Sequence, residues 1–174
     1  REFHCKEALK SLLVSLVAPK GQYELASSTL RKELSVFWES IVISVTRIIV
    51  ALYRGVRFQA LTSASGFETA RPALSGASDK VIRFSFVRNA ASCLLGTGIH
   101  SELGGALSAE GLEHLYHSAI LALVSPDCKP GTEGAEEIAK AFNEMALRTI
   151  YKAKRIPNLV ALVSLLTRSC RDKG

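Results

Sequence analysis

The sequence of 174 residues has no CxxC pair, no GxSxG nucleophile turn, and neither a GxGxxG nor a GK[ST] phosphate loop. These absences remove zinc-ribbon, hydrolase-elbow, dinucleotide and P-loop chemistry, each of which needs its residues at fixed local spacing. The four cysteines, at positions 5, 93, 128 and 170, are scattered and form no short-spaced framework. In a chain this long they predict reduced thiols in an intracellular setting, with Cys5 and Cys93 as small apolar core residues. No apolar run reaches the roughly 18 residues that span a bilayer. The nearest, residues 41–52, is interrupted by Arg47 and is expected to be a core helix. An initial Arg1 in place of Met predicts a piece of a longer protein.

What remains is an apolar and unevenly charged chain. Its 48% apolar content is far above that of a disordered chain and predicts one domain with a core of its own. The net charge of +6 is segregated. Residues 1–99 carry 13 basic and 7 acidic side chains, residues 100–144 carry 2 and 8, and residues 145–174 carry 7 and 1. An acidic block between basic ends points to patches for macromolecular partners more than to a uniform nucleic-acid surface.

Taken in order, the apolar spacing is helical throughout. Phe3, Leu9, Leu12, Leu13, Leu16 and Val17 make one stripe over 2–17, ended by Pro19 and Gly21. A second helix opens near Ser27, Ser28 or Thr29 and runs to about Arg57, apolar around most of its circumference and therefore central. Its β-branched residues would also suit strands, but its length without turn signals favours helix. Residues 62–79, small and polar and broken by Gly66, Pro72 and Gly76, read as a flexible linker. Asp79 is placed to cap a helix over 80–95, stopped by Gly96 and Gly98. Ser108 is placed to cap the next, whose stripe is Leu112, Leu115, Tyr116, Ala119, Ile120, Leu123 and Val124. Thr132 and Glu136 open the last pair, 136–155 and 159–168, expected to form an antiparallel hairpin around Ile156-Pro157-Asn158. The fold class expected is all-α: one domain of about six helices in antiparallel pairs, a HEAT-like α-solenoid or a helical bundle.

Chemistry-bearing clusters are few. Glu110, Glu113, His114 and His117 share a helix face, where two carboxylates and two imidazoles could converge on a metal. A di-iron core would need a second Glu-x-x-His helix, which is absent, so a solvated face is expected. The glycines between Gly96 and Gly105 follow a helix rather than a strand and read as a connection, and Cys128 between Pro126 and Pro130 has no histidine tied to it. No catalytic residue, metal or cofactor is expected, and the chain is not expected to be an enzyme. Arg148, Lys152, Lys154 and Arg155 cluster at a helix end. Cations there complement the helix dipole, and they also suit docking to an acidic protein surface. Tyr151 is the one aromatic among them, so single-stranded nucleic acid is not an expected partner. Nor is a membrane.

Three runs carry a family resemblance: 115–125, Leu-Tyr-His-Ser-Ala-Ile-Leu-Ala-Leu-Val-Ser; 135–147, Ala-Glu-Glu-Ile-Ala-Lys-Ala-Phe-Asn-Glu-Met-Ala-Leu; and 157–168, Pro-Asn-Leu-Val-Ala-Leu-Val-Ser-Leu-Leu-Thr-Arg. In their order and apolar pattern they resemble the C-terminal TOG-like helical region of the TOG-domain microtubule polymerases. The likeness is best over 107–168 and weaker over 28–95. The resemblance implies a non-enzymatic TOG-like bundle of HEAT-like helix pairs that helps localise a polymerase to microtubules or spindle poles, in the cytoplasm and cytoskeleton. The partners it implies are tubulin or an acidic coiled-coil (TACC) adaptor. The tryptophan and basic loops with which TOG domains grip tubulin are not matched, since Trp38 falls inside a helix and not at a helix-pair turn. The docking patch expected is Arg148, Lys152, Lys154 and Arg155. The alternative is a generic α-solenoid scaffold in another complex, such as one serving trafficking.

Overall fold

The computed structural model describes residues 28–54, 79–125 and 134–171. The expected helix over 2–17 and all but the last residue of the expected linker over 62–79 lie outside them. Among the described residues there are six helices and no strand: α1 (Ser28–Tyr53), α2 (Asp79–Ile99), α3 (Ser101–Gly104), α4 (Ala109–Val124), α5 (Ala135–Lys152) and α6 (Arg155–Arg171). The all-α class expected from the apolar spacing is therefore what the chain forms.

Helix α1 supplies the centre of the core. Leu34, Trp38, Ile41, Val42, Val45, Ile49 and Leu52 recur at three- and four-residue spacing and are buried. Its β-branched run stays helical, and the Thr46 hydroxyl donates back to the Val42 carbonyl at 2.7 Å. The stretch Leu34–Tyr53 is long and apolar enough, by length and composition, to cross a membrane. The expectation that no segment reaches that length is corrected: counting an unbroken run stopped at Arg47, whereas a window average passes over it. In the protein this stretch packs against α4, α3 and α2.

The helices form two layers. Helices α1, α4 and α6 make one, with α4 in the middle, and α2 and α5 make the other, with α3 bridging them. Three points fix the register of α2 on α5: Phe84 lies at Gly134, Arg88 pairs with Glu137 at 3.6 Å, and Gly98 lies at Arg148 and Thr149. Both residue numbers rise together, so α2 and α5 run in the same direction. Helix α1 follows α4 in the same sense, with Glu39 at Ser108 and Gly111, and Arg54 near His117. Sequential partners run oppositely. The start of α1 meets the end of α2 through Trp38 and Thr97, and α3, which precedes α4, lies at Lys152 in the last turn of α5.

Several expected boundaries shift. Helix α2 does not stop at Gly96 and Gly98 but runs to Ile99. A side chain at Gly98 would meet the Arg148 Cβ at 2.5 Å and its carbonyl carbon at 2.8 Å, so this glycine permits close helix packing instead of ending a helix. Helix α2 is described from Asp79 onward. Helix α5 begins after Gly134, at φ 72°, and not at Thr132, which lies outside the described residues. Ser108 does cap α4, accepting from the Gly111 N–H. Ile120, Leu123 and Val124, expected in the inward stripe of α4, are exposed, because no described helix lies against that side of its last two turns.

The expected C-terminal hairpin is also corrected. Pro157 sits in the first turn of α6, where its missing N–H costs no helix bond, so it starts that helix and does not break the pair. The packing of α6 is against α4 and not along α5. Residues 113–116 of α4 reach α6 from Asn158 to Arg168, so α6 lies obliquely across α4.

Candidate protein-docking corner

The corner between α5 and α6 brings the sequence-predicted cations together. Residues 148–152 close α5, Ala153 takes an extended conformation, and Arg155 begins α6. A buried polar pivot fixes the turn. Asn158 accepts from the Tyr116 hydroxyl at 2.7 Å and donates its side-chain N–H to the Ile150 carbonyl at 3.0 Å. One α6 side chain thus ties together α4, the last turn of α5 and α6.

On the outside of this pivot Lys152, Lys154 and Arg155 are exposed, with no ion-pair partner among the described residues. Arg148 differs, because Glu144 one turn earlier holds its guanidinium at 2.6 Å. The four residues therefore form a patch of three free cations and one neutralised pair. Beneath them lie two glycines, Gly104 closing α3 and Gly105 just after it. A Cβ at Gly104 would lie 3.7 Å from the Lys152 Cβ, and one at Gly105 would lie 4.0 Å from the Lys154 Cε, so both lysine stems pass over a surface without side chains. Tyr151, 85% exposed, and Ile156, 77% exposed, stand among the cations. An aromatic and an aliphatic group beside fixed positive charge can combine apolar burial with charge complementarity.

The acidic and histidine face of α4 does something else. Glu113 accepts from the Ser164 hydroxyl at 2.6 Å and pairs with Arg168, both on α6. His114 lies 4.0 Å from Glu110. Among the described residues no group of three or more His, Cys, Asp or Glu side chains is placed to hold a metal ion. The face is not simply solvated either, since Glu113 is committed to holding α6. Burial, then the charges of Arg168, Arg54 and His114, lower the pKa of His117 below its usual value, opposed by Glu113.

No family model, no curated protein and no solved structure matches this chain.

Trp38 is buried and donates its indole N–H to the Thr97 hydroxyl at 3.0 Å, so it belongs to the core and is closed to a partner. Cys93 is buried too, and burial pushes its thiol up to about 12, which keeps it protonated and unreactive at neutral pH. The contacts that sequence reasoning missed are Glu113 with Ser164 and Arg168, and Tyr116 with Asn158. They join positions 42 or more apart, and no local sequence signal marks them.

Proposed function

We propose that this chain is a non-catalytic protein-interaction domain of a microtubule-associated protein, which helps localise a microtubule polymerase to microtubules or spindle poles. The observation that carries the reading is the corner itself. Lys152, Lys154 and Arg155 project from a turn that Tyr116 and Asn158 hold rigid, with no ion-pair partner among the described residues. A fixed cluster of free cations beside exposed Tyr151 and Ile156 suits an acidic protein surface, as on tubulin or an acidic coiled-coil adaptor.

The helix order supports the HEAT-like, TOG-like part of the proposal. Sequential helices run oppositely, α2 on α5 runs in the same sense, and so does α1 on α4, the stacking expected of successive pairs in an α-solenoid. The oblique α6 departs from a regular third pair.

The test is charge reversal of Lys152, Lys154 and Arg155 together, followed by pelleting with microtubules and capture by an acidic coiled-coil adaptor. Binding should weaken by tenfold or more at low salt, in line with loss of three steering cations, while circular dichroism stays unchanged. Equal binding by the folded variant and the parent sinks the proposal.

A further inference from the structure

Helix α6 has two apolar faces, and among the described residues only one is packed. Asn158, Ala161 and Leu165 are buried against the rest of the domain. On the opposite side Ile156, Leu159, Val163 and Leu166 are 60% exposed or more, and exposed Cys170 continues the line. The spacing along this outer line is three, four, three, four. It is a heptad seam, with Ile156, Val163 and Cys170 at a positions and Leu159 and Leu166 at d positions.

We propose that this outer face of α6 pairs in parallel with the same face of a second copy of the chain, forming a short two-stranded coiled coil. Two features select that occupant over a foreign helix. β-Branched residues at the first two a positions with leucine at d favour parallel two-stranded pairing. The flanking e and g positions, Arg155, Val160, Leu162, Thr167 and Ser169, carry a single charge. Charged e and g residues are what specify an unlike partner, and this seam lacks them.

The area is adequate for a reversible dimer. The exposed side chains of both copies together bury on the order of 1,000 Å², the lower bound of a specific interface. The helix is already formed and seated on α4 by Glu113 and Tyr116, so pairing does not have to meet the cost of helix nucleation. Parallel pairing brings Lys152, Lys154 and Arg155 of both copies to one end. Their repulsion is exposed to solvent and is screened within about 8 Å at physiological salt, so added salt should strengthen the dimer. A dimer, with Ile156 taken into the seam, would present two basic corners that keep exposed Tyr151 side by side to an extended acidic partner.

Sedimentation equilibrium of the whole chain tests this. The apparent mass should rise with concentration from one chain toward two, and rise further with added salt. Leu159→Glu with Val163→Glu, both at exposed positions, should hold the mass at one chain with unchanged helicity. In a chain carrying Cys5→Ser and Cys128→Ser, a short bismaleimide should join Cys170 to Cys170, as parallel pairing requires. A single-chain mass at every concentration overturns the proposal, and so does a dimer that survives the double substitution or fails to cross-link through Cys170. A monomer that instead binds an acidic amphipathic peptide along α6 overturns it as well.

Discussion

Tyr116 on α4 donates its hydroxyl to the Asn158 side-chain carbonyl on α6 at 2.7 Å, across 42 positions of sequence, inside a site that both residues leave almost sealed. The same Asn158 satisfies the Ile150 carbonyl at the end of α5, so removing either residue strands buried polar groups. Tyr116→Phe leaves one acceptor of Asn158 without its donor and should cost about 1–2 kcal/mol. Asn158→Ala also opens space and strands the Ile150 carbonyl, and should cost roughly 2–3 kcal/mol by the same reasoning. Urea unfolding of the two variants gives the order. A smaller loss for Asn158→Ala would show that the turn is held by something other than this pivot.

Gly98 packs α2 onto α5 where no side chain fits. The Cβ of an alanine would sit 2.5 Å from the Arg148 Cβ and 2.8 Å from backbone atoms of residues 148 and 149, none of which can swing aside. Gly98→Ala should therefore destabilise by about 1–3 kcal/mol, the range for overpacking a close contact, even though alanine is the better helix former. An exposed neighbour on the same helix, Ser92→Ala, should stay within about 0.5 kcal/mol of the parent and serves as the control. Thermal unfolding of the pair reads the difference. Equal midpoints would mean that the two helices can separate there at little cost.

The five long helices among the described residues were legible from apolar spacing, and so was the Ser108 cap, because each is a local pattern, whereas the four-residue α3 fell in a glycine-rich stretch that read as a connection. Helix ends at Gly96, Gly98 and Pro157 were misplaced for one shared reason. Glycine and proline mark a break only when the chain has no other use for them, and here one allows a neighbouring backbone to approach and the other occupies a first turn where no N–H is needed. The candidate corner was visible as charge, since Arg148, Lys152, Lys154 and Arg155 lie within eight positions. That Arg148 is neutralised by Glu144 was also within reach of an i, i+4 reading. The crossing of α6 over α4 was not. Glu113 and Arg168 stand more than fifty residues apart, and nothing local distinguishes a glutamate on a solvated face from one that holds another helix.

The seat of α6 on α4 should be sensitive to pH through His117. Its pKa is lowered by burial and by Arg168 on α6, Arg54 after α1 and His114 on its own helix, with Glu113 pulling the other way. A histidine whose folded pKa lies below its unfolded value binds fewer protons when folded. Stability is then fullest above the unfolded pKa of about 6.5 and declines as pH falls through the folded value. Protonation adds a cation beside Arg168, which pairs with Glu113 on this side of α6, so α6 should loosen first. His117→Gln removes the titration and should flatten the stability profile between pH 7 and 5, while Glu113→Gln should weaken the seat of α6 at neutral pH without removing that slope. Hydrogen exchange along α6, measured for both variants across that interval, separates the two effects. A parent protein whose α6 amides are protected equally at pH 7 and pH 5 would show that His117 does not govern the contact.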